Sequence, residues 1–542
     1  MREIDRVTTE RYGIPSLVLM ENAAAATARV IAGSFPSEIA NRSVLVLCGR
    51  GNNGGDGAAT ARLLAHAGAN VTAILFGNIA NTKDDARTNF EALASLAQDS
   101  SAAKGVVRLI ECASDDDCRT SVDEKLGESP DVIVDGLFGT GLRRPLQGVH
   151  AETVRRVNAL RDLANTNTLV VSIDVPSGLN SDSSEPIGEA VQADITVTMT
   201  SPKIANVLPP ASHYNGRLIV ADIGSPAELI SKAPTDLFLT EEADARRWLV
   251  ETRYAADSHK NTHGHAVIVA GARGFTGAAA LCANAAMRAG AGLVTVATPA
   301  SAQPTVATQV MPEVMTAALA ETDRGAVSDD AAGFFSKFSE KAAVIAIGPG
   351  LSSEDDRTRK FVRRVVENRR TPVVIDADGL NCLSPWPEDL SGSAELPIVL
   401  TPHPGEMLRL TGTSDKSALN DRVATARKFA TQHGVILLLK GGRSLVASPD
   451  GRVFLNSTGN AGLGTAGAGD TLTGVVAGFL AQAKNSEKVS TLDTVIAALY
   501  VSGLAGDLAA RELGMRCMVA SDIREHLSAA ICSIDVRGEQ PR

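Results

Sequence analysis

Asn460-Ala461-Gly462-Leu463-Gly464-Thr465-Ala466-Gly467-Ala468-Gly469-Asp470-Thr471-Leu472-Thr473-Gly474 is followed by an apolar run, Val475 to Gln482, that reads as a helix. Four glycines stand among the eight residues before Asp470, more than a plain helix cap requires. A glycine-rich turn feeding a helix leaves peptide N–H groups free to hold an anion. An aspartate at that helix start can take the proton of an attacking hydroxyl while the amides stabilise the charge that develops. This is the arrangement needed to phosphorylate an alcohol, and it makes Asp470 the leading catalytic candidate.

Just upstream, Leu439-Lys440-Gly441-Gly442-Arg443-Ser444 follows an apolar strand and precedes Val446 and Asp450-Gly451. It reads as a strand, a polar loop and a hairpin, able to set amides and cations around a nucleotide. Further strand ends deliver Gly348-Pro349-Gly350, Asp376-Ala377-Asp378-Gly379-Leu380-Asn381 and Thr401-Pro402-His403-Pro404-Gly405-Glu406. In an open parallel sheet, the carboxyl ends of strands converge on one crevice. His403, fixed between two prolines at a strand end, reads either as a structural histidine or as one that a rigid loop presents to a ligand.

The same texture extends in both directions. Short β-branched runs such as Val44 to Leu47, Val132 to Val134, Leu169 to Ile173, Ala266 to Ala270, Val344 to Ile347 and Val373 to Ile375 alternate with Ala-rich helical stretches. Such alternation implies α/β units with parallel strands and crossover helices. At 542 residues the chain exceeds what one hydrophobic core sustains, about 250 to 300 residues, so two domains are the minimum. Between Gly224 and Lys260 the apolar strands fade, and Pro226, Pro234 and charged residues collect. The expected division is a first domain over 1–225, a linker over 226–239 and a second domain over 240–542. The acidic run Asp115 to Asp117 reads as a solvated loop.

In the first half, Gly49-Arg50-Gly51-Asn52-Asn53-Gly54-Gly55-Asp56-Gly57 follows a strand and opens a helix. The acidic ribose-binding residue of an ordinary dinucleotide dehydrogenase is missing, because Thr72 to Phe76 runs directly into Gly77-Asn78. Two asparagines and an aspartate inside a glycine turn offer more oxygen ligands than a tight turn needs. Val134-Asp135-Gly136-Leu137-Phe138-Gly139-Thr140-Gly141-Leu142-Arg143 and Ile173-Asp174-Val175-Pro176-Ser177-Gly178 bring the same kind of signal to two further strand ends.

Composition sets the surroundings. With 52 basic and 62 acidic residues the net charge is −10, which offers no general attraction to nucleic acid or anionic membranes. No stretch approaches the roughly 18 consecutive apolar residues of a membrane span. Seven scattered cysteines without C-x-x-C spacing argue against a disulfide framework or a zinc site and suit the cytoplasm.

Residues 1–225 resemble the NAD(P)H-hydrate epimerases, the YjeF N-terminal family. The resemblance rests on Arg11-Tyr12-Gly13-Ile14-Pro15, Leu19-Met20-Glu21-Asn22, Asn52 to Asp56, Gly139-Thr140-Gly141, Asp174 to Gly178 and Ser201-Pro202-Lys203. It implies a Rossmann-like three-layer α/β/α domain in which Asn52, Asn53, Gly54, Gly55 and Asp56, with Gly139, Thr140, Gly141, Leu142, Arg143, Arg144 and Pro145, hold hydrated NADH or NADPH. It further implies that Asn53, Asp135 and Ser177 bind a potassium ion through oxygen, as suits a hard cation, and that Asp174 binds substrate and acts as general base.

Residues 240–535 resemble the ADP- or ATP-dependent NAD(P)H-hydrate dehydratases, the ribokinase-like YjeF C-terminal family. Here the resemblance also takes in Gly264-His265-Ala266-Val267 and Gly271 to Ala280. It implies a ribokinase-like α/β/α domain, with Ala278, Gly350, His403 and Asp470 on the substrate side and Lys440, Gly441, Gly442, Arg443, Ser444 and Gly469 around the nucleotide, with magnesium. Two departures stand out: Asn261 replaces the family's usual glycine, and Ala466-Gly467-Ala468-Gly469-Asp470 replaces a commoner Gly-Gly-Ser/Thr-Gly-Asp. The second also looks like sugar and vitamin kinases. The joint expectation is an enzyme that interconverts R and S hydrates and dehydrates the S form with ADP, giving NAD(P)H, AMP and phosphate; ATP stays open as donor. The competing reading is a sugar- or vitamin-type kinase fused to a nucleotide-sensing or protein-binding module. Small molecules are the expected partners, and a homo-oligomer is left open.

Overall fold

Strand Ser43–Cys48 (β1) sends Val44, Val46 and Cys48 into one hydrophobic core and Leu45 and Leu47 into another. Both faces of its sheet are therefore covered, as an all-apolar strand in a parallel sheet requires. The computed structural model describes residues 1–99, 102–163 and 167–535, so residues 536–542 of the expected second domain lie outside the described residues.

The remaining strands of this sheet are Asn70–Leu75 (β2), Val107–Glu111 (β3), Val132–Gly136 (β4), Leu169–Ile173 (β5), Ile195–Met199 (β6) and Arg217–Ala221 (β7). They pair in the order β3-β2-β1-β4-β5-β6-β7, every pair parallel. The order reverses between β1 and β4, which opens a crevice at their carboxyl ends.

A second sheet joins Leu237–Leu239 (β8), His265–Val269 (β9), Leu293–Pro299 (β10), Met315–Leu319 (β11), Val344–Ile347 (β12), Val373–Ile375 (β13), Ile398–Leu400 (β14), Ile436–Leu439 (β15), Leu445–Ala447 (β16) and Val453–Leu455 (β17). Its order is β11-β10-β9-β12-β13-β14-β15-β16-β17-β8, with only the β15–β16 and β16–β17 pairs antiparallel. The switch falls between β9 and β12. The expected two-domain α/β organisation is what forms: the chain separates into two compact units, Met1–Pro234 and Thr235–Arg542.

Three local features differ from the sequence reading. Residues 226–239 are more than a linker, since they hold the helix Ala227–Ser231 and then β8, which pairs in parallel with β17 while Phe238 stacks on Phe454 at 5.1 Å. A three-residue strand is too short to show a period. Asp115, Asp116 and Asp117 form the first turn of the helix Asp115–Gly127, where Ser114 and Asp117 make a capping box and the helix dipole favours acidic charge. The stretch Asn52 to Asp56 is already helical, in Asn52–His66.

The 23-residue helix Thr491–Leu513 is long and apolar enough by composition to cross a membrane. Its Val495, Ala498, Val501 and Ala505 are buried in the second unit's core, and its Thr494 accepts a 3.0 Å hydrogen bond from Trp248 Nε1. Its apolarity therefore answers to packing.

Candidate functional site

At the carboxyl edge of the first sheet lies a cavity of about 940 Å³ lined by Asn52, Asn53, Asp56, Gly139, Thr140, Gly141, Leu142, Arg143, Arg144 and Asp174. The turn out of β1 can form only with glycine. A Cβ on Gly49 would come 2.0 Å from the Leu137 carbonyl oxygen, and one on Gly54 would come 1.7 Å from the Gly49 oxygen. Gly54 and Gly55 are thus buried under the helix start, where they let it press against β1 and its neighbours. Gly51 caps that helix without a side-chain bond, which leaves its first amides for a ligand.

Asp174 follows β5 in the left-handed region, φ 66°, and donates its N–H to the Val197 carbonyl at 2.7 Å. That backbone conformation is costly for a non-glycine residue and is found at functional turns. Its carboxylate accepts from Lys203 Nζ in a mostly buried ion pair, and from Thr198 Oγ1 at 3.1 Å. Lys203 also donates to Thr198 Oγ1 at 2.9 Å and to the Met199 carbonyl at 3.0 Å, so all three of its protons are used. Burial, with the Asp174 and Asp5 carboxylates nearby, holds the Asp56 carboxyl well above the usual carboxylate range despite Lys203. Asp174 is therefore paired with a cation, whereas Asp56 is buried among carboxylates.

Beneath the cavity floor, Asp135 is 1% exposed and its partners are neutral: the Ser177 hydroxyl at 2.5 Å, the Ser172 hydroxyl at 2.8 Å and the Ser177 amide at 2.8 Å. Burial pushes its carboxyl up against the pull of those bonds. At the cavity wall, Asn53 Nδ2 is buried with no partner, while a Cβ on Gly139 would lie 3.0 Å from Asn53 Oδ1. A buried carboxylate without a cation, beside an unpartnered amide that can present its oxygen by turning over, is a donor set that fits an oxygen-liganded monovalent ion.

The second sheet carries the other constellation. Asp470 sits in the first turn of the helix Ala468–Ala483, capped by Gly467 at φ 83°. A Cβ on Gly469 would come within 3.1 Å of Lys440 Nζ, so the glycine keeps the cation beside the helix start. Lys440 pairs with Asp376 Oδ1 at 2.8 Å and stands 3.9 Å from Glu406. Burial opposes its charge, but the Asp376 and Glu406 carboxylates outweigh that and raise its pKa. Thr473 Oγ1 donates to the other Asp376 oxygen at 2.8 Å. Burial first, and the Asp376 charge second, push the Asp470 carboxyl up to about 6, with Lys440 pulling the other way.

Gly350, at φ 60°, packs on Ala278: a Cβ there would meet the Phe275 carbonyl at 2.8 Å and Ala278 Cβ at 2.9 Å. His403 Nδ1 accepts from Gly405 N–H at 3.0 Å, capping the helix Pro404–Leu410, and its Nε2 faces Glu406 at 3.5 Å. Burial and the Lys440 and Arg409 charges lower its pKa, so the ring stays neutral near pH 7. In the loop after β15, Arg443 donates to the Ser457 carbonyl at 2.8 Å, and Arg422 props the loop through the Gly442 carbonyl at 2.6 Å.

Residues 16–205 match a family described as YjeF-related protein N-terminus, and residues 266–529 match NAD(P)H-hydrate dehydratase. A bifunctional NAD(P)H-hydrate repair enzyme from Moorella thermoacetica is 38% identical over 99% of this chain and 96% of its own. The chain belongs to the bifunctional NAD(P)H-hydrate repair family. The Escherichia coli repair enzyme is 31% identical over 96% of this chain and 91% of its own. A Bacillus subtilis ADP/ATP-dependent NAD(P)H-hydrate dehydratase, co-crystallised with ATP and Mg²⁺, is 30% identical and covers 55% of this chain and 99% of its own, at a TM-score of 0.47.

In this repair-family chain, most residues expected at the first site line one cavity. Gly54, Gly55 and Pro145 do not line it, nor do the buried Asp135 and Ser177. Lys203 was quoted only as part of a resembling segment, yet it holds Asp174. Asp5 and His150 also line the cavity and carried no signal in the sequence, and Arg50 and Phe76 line it though the sequence reading assigned them no role. At the second site Asp376, Glu406, Thr473 and Arg422 were missed as individual residues. An Asp at the end of β13 was visible, but its pairing with Lys440 spans 64 positions.

Proposed function

We propose that the C-terminal site removes water from the S hydrate of NADH or NADPH in a nucleotide-driven step, and that the N-terminal site interconverts R and S hydrates. The observation that carries this reading is Asp470. It is a carboxyl raised to about 6 at a glycine-bounded helix start, beside the Lys440–Asp376 pair, in a chain whose near-full-length relatives are named as bifunctional repair enzymes.

Hydroxide leaves a ring carbon reluctantly, whereas a phosphate ester leaves readily. Asp470 takes the proton of the C6 hydroxyl as its oxygen attacks the terminal phosphorus of the nucleotide, and the bridging P–O bond breaks, so that ADP becomes AMP. The ring nitrogen then pushes out phosphate, and loss of a C5 proton restores the reduced nicotinamide. Amides at the Gly467–Gly469 turn stabilise the transferring charge, with Lys440 to Ser444 and Gly469 along the nucleotide and Ala278, Gly350 and His403 toward the hydrate. Magnesium would accompany the nucleotide and neutralise the charge of the transferring group.

In the N-terminal cavity, Asn52, Asn53 and Asp56, with Gly139 to Arg144, cradle the hydrate. Asp174 takes the C6 hydroxyl proton while the C6–N1 bond opens to an aldehyde, Asp56 gives N1 a proton, and closure on the opposite face reverses both transfers. Asn53, Asp135 and Ser177 would hold potassium, which supplies the positive charge that Asp135 lacks. All seven cysteines are free, which supports placing the enzyme in the reducing cytoplasm.

The deciding experiment supplies mixed R and S NADH hydrates with ADP or ATP and follows the near-ultraviolet absorbance of reduced nicotinamide. Complete recovery supports both activities, and recovery that stops once the S form is consumed removes the epimerase. A stably phosphorylated product with no NADH would support the kinase reading instead.

A further inference from the structure

The epimerase reading leaves open which hydrate the first site favours, and the inference that follows rests on that reading. A dinucleotide bound across the β1/β4 switch point places its two halves on opposite sides of it. Asp174, at the end of β5, takes the nicotinamide side. The adenosine half therefore reaches the end of β2, where a carboxylate usually binds the ribose 2′-hydroxyl and a nearby arginine accommodates a 2′-phosphate.

Here β2 ends in Leu75 and runs into Phe76-Gly77-Asn78, without an acid. Over that turn lies the side chain of Arg50: a Cβ on Gly77 would come 2.7 Å from Arg50 Cδ and 3.7 Å from its Nε. Arg50 is exposed, lines the cavity, and makes no ion pair among the described residues. Arg143, by contrast, is already held by Asp182 at 2.6 Å and Asn180 at 2.7 Å. Beside Arg50, the His150 ring packs against Phe76 and Phe138 at 5.2 and 5.1 Å between centroids, with the ring planes tilted by 34° and 58°, an aromatic wall for a base.

We propose that Arg50 recognises the 2′-phosphate of hydrated NADPH and makes the epimerase site prefer the phosphorylated cofactor. An unpaired guanidinium on a glycine turn, open to the cavity and next to a stacking wall, is the group such a phosphate requires.

The test compares kcat/KM for epimerisation of the R hydrates of NADPH and NADH by the full-length wild type, Arg50→Ala and Arg50→Lys. Arg50→Ala is expected to cut the NADPH-hydrate to NADH-hydrate ratio by about tenfold or more, mainly through KM, and Arg50→Lys to restore part of it. An unchanged ratio overturns the assignment while leaving the epimerase reading intact. A wild type that epimerises neither hydrate overturns that reading. In either case calorimetric binding of adenosine 2′,5′-bisphosphate tests Arg50 apart from turnover: about tenfold weakening in Arg50→Ala supports its role, and undiminished binding overturns it.

Discussion

Lys440 Nζ lies 2.8 Å from Asp376 Oδ1, and that carboxylate is 1% exposed. Asp376 is thus matched by a cation and by the Thr473 hydroxyl, and in the proposed mechanism Asp470 is the base for the reacting alcohol. Replacing Asp470 with Asn should lower NADH recovery from the S hydrate by about 10²- to 10⁴-fold, the usual worth of a positioned base, while nucleotide binding persists. Single-turnover assays with calorimetry separate the two; recovery at wild-type speed would remove Asp470 from the chemistry.

The pH dependence follows with a definite sign. The Asp470 carboxyl is raised to about 6 and must be ionised to accept a proton, so dehydratase kcat/KM should fall as pH drops below about 6. Because Lys440 lowers this pKa, Lys440→Met should move the limb to higher pH. A limb at the same pH in both proteins would contradict the assignment.

The ion pair also bears on stability. Lys440→Met leaves Asp376 buried without its cation and should cost about 3 to 5 kcal/mol, whereas replacing both partners by apolar residues should cost much less. Urea titration of the two single variants and the double variant reads this as a coupling energy.

In the first unit, Lys203→Met and Asp174→Asn should each suppress epimerisation by about 10²-fold or more. Dehydration of purified S hydrate should continue. Loss of both activities in Lys203→Met would mean that it acts through folding instead.

Exchange of potassium for lithium should slow epimerisation alone, and Asp135→Asn should abolish that cation dependence. Rates insensitive to the cation would exclude a role for potassium at Asn53, Asp135 and Ser177.

Much of this was legible because strand and helix alternate so regularly that parallel sheets were the only economical reading, and because glycines crowd a helix start only where backbone must approach backbone. Gly54 shows it: a Cβ there would come 1.7 Å from the Gly49 carbonyl oxygen. What stayed hidden depends on distant pairing or on single torsions. The Lys203–Asp174 contact spans 29 positions and needs Asp174 at φ 66°, and the hold of Arg50 on the Gly77 turn exists only once β1 and β2 lie side by side. The aspartates at 115 to 117 were misjudged because three adjacent charges mask the Ser114 cap that starts their helix.

β8 has a practical consequence. Its three residues cover the outer ladder of β17. A dehydratase fragment begun at residue 240 would bare that ladder's amides and carbonyls to solvent and invite neighbouring molecules to add strands to it. A fragment begun at Thr235 would keep its own cover and should stay dispersed at concentrations where the shorter one precipitates.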